Sequence, residues 1–422
     1  MEGNGRIGVV WHTQGSGKSM EMELYAAKVM RDPRLKNPTI LVLTDRTELD
    51  TQLFETFAAS TLLPEDPKNM GSRAELREAL SQAASGGILF STLHKFGLTQ
   101  EEREAKRDHP VLSERSNIIV MVDEAHRSHY DDLDGFAAHL KNALPHASHI
   151  AFTGTPIAEG ERDTRKVFGA DIDVYDLRRA VQDGATVPVY FEPRLIPLAK
   201  IQGIDAETLD DAAEELTRDL DDTEKARIQQ RAAALETVYG APQRLQRLAQ
   251  DLVRHWEDRR ESMHSQIGVP GKAMVVCATR VVAARLYEQI AALRPDWATD
   301  DDRTGKVKVI YSGTPGEGGE VAPHLRRPSR NRALQERLKD PEDELEIAIV
   351  QSKLLTGFDS PPLHTLYVDR PLRGALLMQA LARVNRTFRE KDAGLLVAYA
   401  PITENLQHCL LYTSPSPRDR TR

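Results

Sequence analysis

The chain has 422 residues, 40% of them hydrophobic and 28% charged. That balance excludes a disordered or fibrous chain and suits about two or three domains, each with its own core. A formal net charge of −8 excludes a basic nucleic-acid coat and leaves open a local basic groove. The two cysteines, Cys277 and Cys409, support neither a disulfide framework nor a zinc site, and no apolar run reaches membrane-spanning length, which together suit a cytoplasmic setting.

The first predicted strand runs from Ile7 to Trp11. The loop His12-Thr13-Gln14-Gly15-Ser16-Gly17-Lys18-Ser19 follows, and then a helix over Met20 to Met30 with no Pro or Gly inside it. Strand, glycine loop ending Gly-Lys-Ser, and helix make a phosphate cradle. Gly15 and Gly17 let the backbone bend towards phosphate oxygens, and the helix start offers unpaired N–H groups. Lys18 is placed to reach the β- and γ-phosphates and Ser19 to meet Mg²⁺. The strict pattern has glycine where this chain has His12.

Thr39 to Thr44 reads as a strand buried on both faces, as in a parallel sheet. Asp45 and Arg46 then open a helix carrying Leu49, Leu53, Phe54 and Phe57. Arg46 fits either a solvated helix start or a contact to a nucleic-acid phosphate. Gly87 to Thr92 is another strand, and His94-Lys95 after it has the same two readings. Asn117 to Val122 is a strand ending in Asp123-Glu124-Ala125-His126. There Asp123 can hold Mg²⁺, directly or through water, and Glu124 can take a proton from an attacking water. Ser148 to Phe152 leads into Thr153-Gly154-Thr155-Pro156, which is either a plain turn or a sensor of the terminal phosphate.

Residues Ile204 to Met263 are rich in Asp, Glu, Arg, Ala and Gln. Gly240-Ala241-Pro242 splits them into at least two helices, and Leu245, Leu248, Leu252, Val253 and Trp256 share one helical face. A second strand–helix series follows, with strands over Lys272–Ala278, Val307–Ser312, Glu346–Val350 and Thr365–Asp369 and a helix over Val281–Leu293. It holds no second phosphate loop. Lys353 to Asp359 and Gln379 to Arg386 stand out instead, and on a helix Arg383 and Arg386 share one face. Leu410 to Arg422 shows no period.

In this order the segments resemble the motifs of a superfamily 2 helicase or translocase motor. The loop at 12–19 is similar to motif I, 123–126 to motif II, 153–156 to motif III, 353–359 to motif V, and 379–386 to motif VI, with Ala382 where glycine is common. Within that superfamily, Trp11–Ser19, Val42–Leu53 and Phe168–Pro193 resemble the R subunit of type I restriction-modification enzymes. The resemblance implies an α/β fold of two RecA-like parallel-sheet lobes, residues 1–195 and 269–402, with a helical linker or insertion over 196–268 between them; residues 403–422 read as a disordered or artefactual tail.

It also implies ATP and Mg²⁺ as cofactors. Thr13, Gln14, Gly15, Ser16, Gly17, Lys18, Ser19, Gly357 and Asp359 would bind nucleotide, and Ser19 and Asp123 the metal. Glu124, Gln379, Arg383 and Arg386 would be catalytic, the arginines as fingers. The implied work is translocation along duplex DNA, held through its phosphates and without strand separation, in a complex whose methyltransferase and specificity subunits recognise the target. The alternatives are another superfamily 2 DNA or RNA helicase, or a fragment that binds nucleic acid or partner subunits without turnover. In this family the cleaving domain and the adenine-recognition segment lie upstream of the motor. Nothing before Trp11 can host clustered acids, so ATP hydrolysis without DNA cleavage is the expectation.

Overall fold

The computed structural model describes residues 5–13, 15–44, 47–82, 85–98, 102, 109–125, 136–154, 164–196, 233–313, 318–355 and 357–412. The chain divides into two compact units, Met1–Ala180 and Val181–Arg422.

The first unit is built on seven strands: β1 (Arg6–His12), β2 (Thr39–Thr44), β3 (Pro67–Asn69), β4 (Ile88–Thr92), β5 (Ile118–Asp123), β6 (Ser148–Thr153) and β7 (Asp171–Tyr175). Their order is β3-β4-β2-β5-β6-β1-β7, and every pairing is parallel. Parallel neighbours cannot be joined by tight turns, so helices such as Lys18–Met30, Thr47–Ala58, Arg73–Gln82 and Phe136–Ala143 carry the chain between them. Side chains alternate across the sheet with period two. Leu41, Leu43, Val120 and Val122 pack into one buried cluster. Ile40, Val42, Ile119 and Met121 pack into another. A sheet covered on both faces explains why β2 and β5 read as unbroken apolar runs.

The second unit repeats the plan with β8 (Val189–Pro193), β9 (Lys272–Cys277), β10 (Val307–Val309), β11 (Ile347–Val350), β12 (Leu363–Asp369) and β13 (Gly394–Ala398). The order is β10-β11-β9-β12-β13-β8, again all parallel. Ala273, Val275 and Cys277 face one cluster. Met274 and Val276 face the other. These are the two RecA-like parallel-sheet lobes of the expected fold class.

Three details differ from the sequence reading. A first lobe ending at 195 would include β8, but β8 hydrogen-bonds to β13, in register from Val189 opposite Gly394 to Pro193 opposite Ala398. The division therefore falls near 180. Arg194 then ties this edge strand to the long helix Pro242–Ile267 through Asp251, at 2.6 and 2.7 Å.

That helix is not a free linker. Leu245, Leu248, Leu252, Val253 and Trp256 do share one face, as their spacing predicts, and that face is buried in the second unit's core. Pro242 at its first turn and Gly268 at its left-handed end set its limits. The expected tail begins with a helix, Thr403–Tyr412, in which Leu406 is buried. Residues 204–232 and 413–422 lie outside the described residues.

Candidate functional site

All seven strands of the first unit point the same way, so their carboxyl ends share one edge of the sheet. The central neighbours β5, β6 and β1 bring three sequence segments there. Thr153 is paired beside Trp11, and Asp123 beside Phe152. The Trp11 indole Nε1 donates to the Gly154 carbonyl at 3.3 Å, joining the start of the glycine loop to the turn after β6. Ligands of open parallel sheets bind at this kind of edge.

The loop is closed on itself. Thr13 is buried and its N–H donates to the Tyr175 carbonyl at 2.9 Å. The Ser16 hydroxyl donates to the Thr13 carbonyl at 2.6 Å. Gly15 and Gly17 have φ of +92° and +96°, in the left-handed region that favours glycine. A Cβ on Gly17 would meet nothing within 4 Å, so the backbone angle, rather than crowding, calls for glycine there. Gly17 caps the helix Lys18–Met30, and no side chain caps it. The Met20 and Glu21 N–H groups turn back to the Gly17 carbonyl; with no side chain capping the helix start, its earlier N–H groups and the glycine-lined loop fit a nucleotide phosphate. Lys18 donates its ammonium to the His12 carbonyl at 3.3 Å. Ser19 is exposed in the first helical turn, and Gln14 lies outside the described residues.

His12 ends β1, with its ring between two acids. Nδ1 is 2.8 Å from Glu21 Oε2, and Nε2 is 2.7 Å from Asp173 Oδ2 on β7. Burial is the largest single influence and pulls its pKa down, but the contacts and negative charges of Glu21 and Asp173 together outweigh it, and the net direction is up.

Asp123 closes β5 and its Oδ1 accepts the Glu124 N–H at 3.0 Å. Glu124 has φ of +50°, which costs a non-glycine residue on the order of 1–2 kcal/mol. Both acids are half-buried. Mg²⁺ binds through one or two protein oxygens and keeps several waters, so the donor set Ser19 hydroxyl and Asp123 carboxylate suits it. His126, Thr155, Pro156 and Arg46 lie outside the described residues. His94 is exposed, and the Lys95 ammonium donates to the Met70 carbonyl.

In the second unit the loop after β11 and the helix after β12 meet. Gly357 has φ of +69°. Gln379 is buried in the helix Gly374–Val384. The Arg383 side chain is buried, and its guanidinium donates to the carbonyls of Gln379, at 3.1 Å, and of Phe358. Arg386 lies 3.1 Å from Asp359 and is partly exposed. One expectation fails here. Asn385 caps the helix, so Arg386 lies beyond it and does not share a helical face with Arg383. Sequence reading noted His12 only as a departure from pattern, because its partners lie 9 and 161 positions away.

A model described as SWI2/SNF2 ATPase matches residues 1–226, and one described as type I restriction enzyme subunit R domain 3 matches residues 328–401. The chain is 42% identical over 420 residues to the type I restriction enzyme HindI endonuclease subunit of Haemophilus influenzae, covering 96% of this chain and 38% of that one. It is 38% identical over 418 residues to the MjaIXP endonuclease subunit of Methanocaldococcus jannaschii, covering 98% and 37%. It therefore spans less than two fifths of the length of these relatives. A fragment of a type I restriction enzyme HsdR subunit from Vibrio vulnificus has the same fold, with a TM-score of 0.57, 18% identity, and 98% of this chain and 64% of that one covered. Because the ATPase match alone takes in more than half of its residues, this chain belongs to the SWI2/SNF2 ATPase family of superfamily 2 motors and is similar to the endonuclease subunits of type I restriction enzymes.

Proposed function

We propose that the chain is the ATP-driven motor of a type I restriction R subunit, moving duplex DNA while methyltransferase and specificity subunits supply target recognition. The observation that carries the reading is the adjacency of β5, β6 and β1, which gathers the Lys18 loop and the Asp123–Glu124 pair at one sheet edge.

Lys18 and the loop amides hold the triphosphate, and Ser19 and Asp123 hold Mg²⁺. Held there, Mg²⁺ would supply positive charge against the triphosphate. Glu124 orients the attacking water and accepts its proton. By the family resemblance Arg386 is the candidate arginine finger of the second unit, and its guanidinium is partly exposed. Arg383, committed to two backbone carbonyls, braces the segment that carries it, and Gln379 supplies one of those carbonyls. Gly357 and Asp359, in the loop after β11, are further candidates for contact with the nucleotide. DNA is gripped through its phosphates, so binding falls steeply with salt and shows little base preference.

The test is steady-state ATPase with and without duplex DNA, for the wild type, Lys18→Ala and Glu124→Gln, beside triplex- and strand-displacement assays. DNA-stimulated turnover lost in both variants, with triplex displaced and strands left paired, is the expected result. Strand separation without duplex tracking would point to a helicase. A folded wild type without DNA-stimulated turnover would defeat the reading.

A further inference from the structure

His12 stands where the phosphate-loop pattern has a glycine, and its side chain does what a glycine cannot. Its two ring nitrogens face two carboxylates, Glu21 from the first turn of the helix that follows the loop and Asp173 from the neighbouring strand β7. A neutral imidazole has one N–H and can donate to only one of them; the doubly protonated ring donates to both. The ring is 14% exposed. Tyr175, also on β7, flanks it with ring centroids 5.6 Å apart, and the Lys18 ammonium rests on the His12 carbonyl. The side chain thus bridges strand end, helix start and sheet edge around the loop, while its main chain holds the phosphate-seeking lysine.

We propose that His12 is a positioning residue for the phosphate loop, whose imidazolium clamps Glu21 and Asp173 and so keeps two carboxylates from opposing the nucleotide's phosphates. The proposal rests on the nucleotide reading of the cradle. Deprotonation loosens the bridge between Glu21 and Asp173 and changes the local charge of the trio from −1 to −2, by the arithmetic of one cation and two carboxylates. Both changes weaken triphosphate binding. By linkage, bound nucleotide must in turn favour the protonated ring.

The experiment has two readouts on the full chain. Binding of a fluorescent ATP analogue with Mg²⁺ is measured from about pH 5.5 to about pH 9 at constant ionic strength, for the wild type and His12→Gln. The analogue's own ionisation is common to both proteins and cancels in the ratio of affinities. Histidine side-chain NMR, with His12→Gln assigning the resonance, follows the ring itself. The wild type should bind about three- to tenfold more tightly than His12→Gln below the His12 midpoint, and the ratio should approach one above it. Saturating analogue should move that midpoint to higher pH. Asp173→Asn, on the edge strand, should move it to lower pH. A ratio that does not change with pH while His12 titrates overturns the inference and leaves the nucleotide reading standing. A wild type that binds no analogue at any pH, with His12 still titrating, overturns the nucleotide reading and the coupling with it.

Discussion

Arg386 lies 3.1 Å from Asp359, a contact that joins the segment after β12 to the loop after β11. Three positions earlier Arg383 donates to backbone carbonyls. Two arginines that look equivalent in the sequence therefore occupy different environments, one partly exposed and one buried.

The difference separates turnover from stability. Arg386→Ala should lower DNA-stimulated kcat by about 10³-fold, the scale of a lost arginine finger, and leave thermal unfolding nearly unchanged. Arg383→Ala should cost about 2–3 kcal/mol, since charge-assisted bonds are lost and buried carbonyls are left bare. Parallel kcat and denaturant-unfolding measurements check both; equal losses of stability would contradict the division of roles.

Gly17 should tolerate a side chain sterically and resist it conformationally. With φ of +96° and open space where a Cβ would sit, Gly17→Ala is expected to destabilise the first unit by about 1–2 kcal/mol. Gly17→Asn should cost less, because asparagine visits this region more readily. Urea unfolding of the two variants reads the order directly.

Arg244 and Asp369 form a buried ion pair, 5% and 0% exposed, with Arg244 Nη1 at 2.9 Å from Asp369 Oδ2 and 3.1 Å from the Tyr239 carbonyl. Arg244→Met leaves a buried carboxylate without this partner and should cost about 3–5 kcal/mol. Arg244→Met with Asp369→Leu should recover most of that loss, because the desolvated charge is gone. A double variant no more stable than the single one would refute the argument.

His324 gives the fold an acid limit. Burial, then the charges of Arg326 and Lys308, hold its pKa down to about 4 against an ordinary 6.5. The unfolded chain takes the proton near 6.5 and the native chain only near 4, so protonation between those values favours unfolding. Stability from this group is complete above the unfolded value and drains away as pH falls towards the folded one. At about pH 5 the loss is on the order of 2 kcal/mol. His324→Phe should remove that part of the difference between unfolding free energies measured at about pH 7 and about pH 5. His364, fully buried and stacked on Trp256, adds a loss of the same sign.

Local chemistry was legible from the sequence alone. The strand Thr39–Thr44 has the same bounds in both readings, because six buried side chains on a doubly covered strand need an unbroken apolar run. The glycine loop and the acids at the end of β5 were legible for a similar reason: a left-handed backbone calls for Gly15 and Gly17, and Asp123 and Glu124 come directly after the apolar residues of a strand of that same kind. Strands that depend on distant neighbours were not. β7, with Asp171 and Asp173 in it, is a strand because it lies along the edge beside β1, and β8 joins the second sheet because β13 offers it a register.

The same limit governs side chains. That His12 meets Asp173, that Arg383 turns inward and that Arg386 lies past the end of its helix are outcomes of chain packing. Propensity and spacing act over a few residues, whereas these contacts are set by which strands become neighbours, and only the folded sheet decides that.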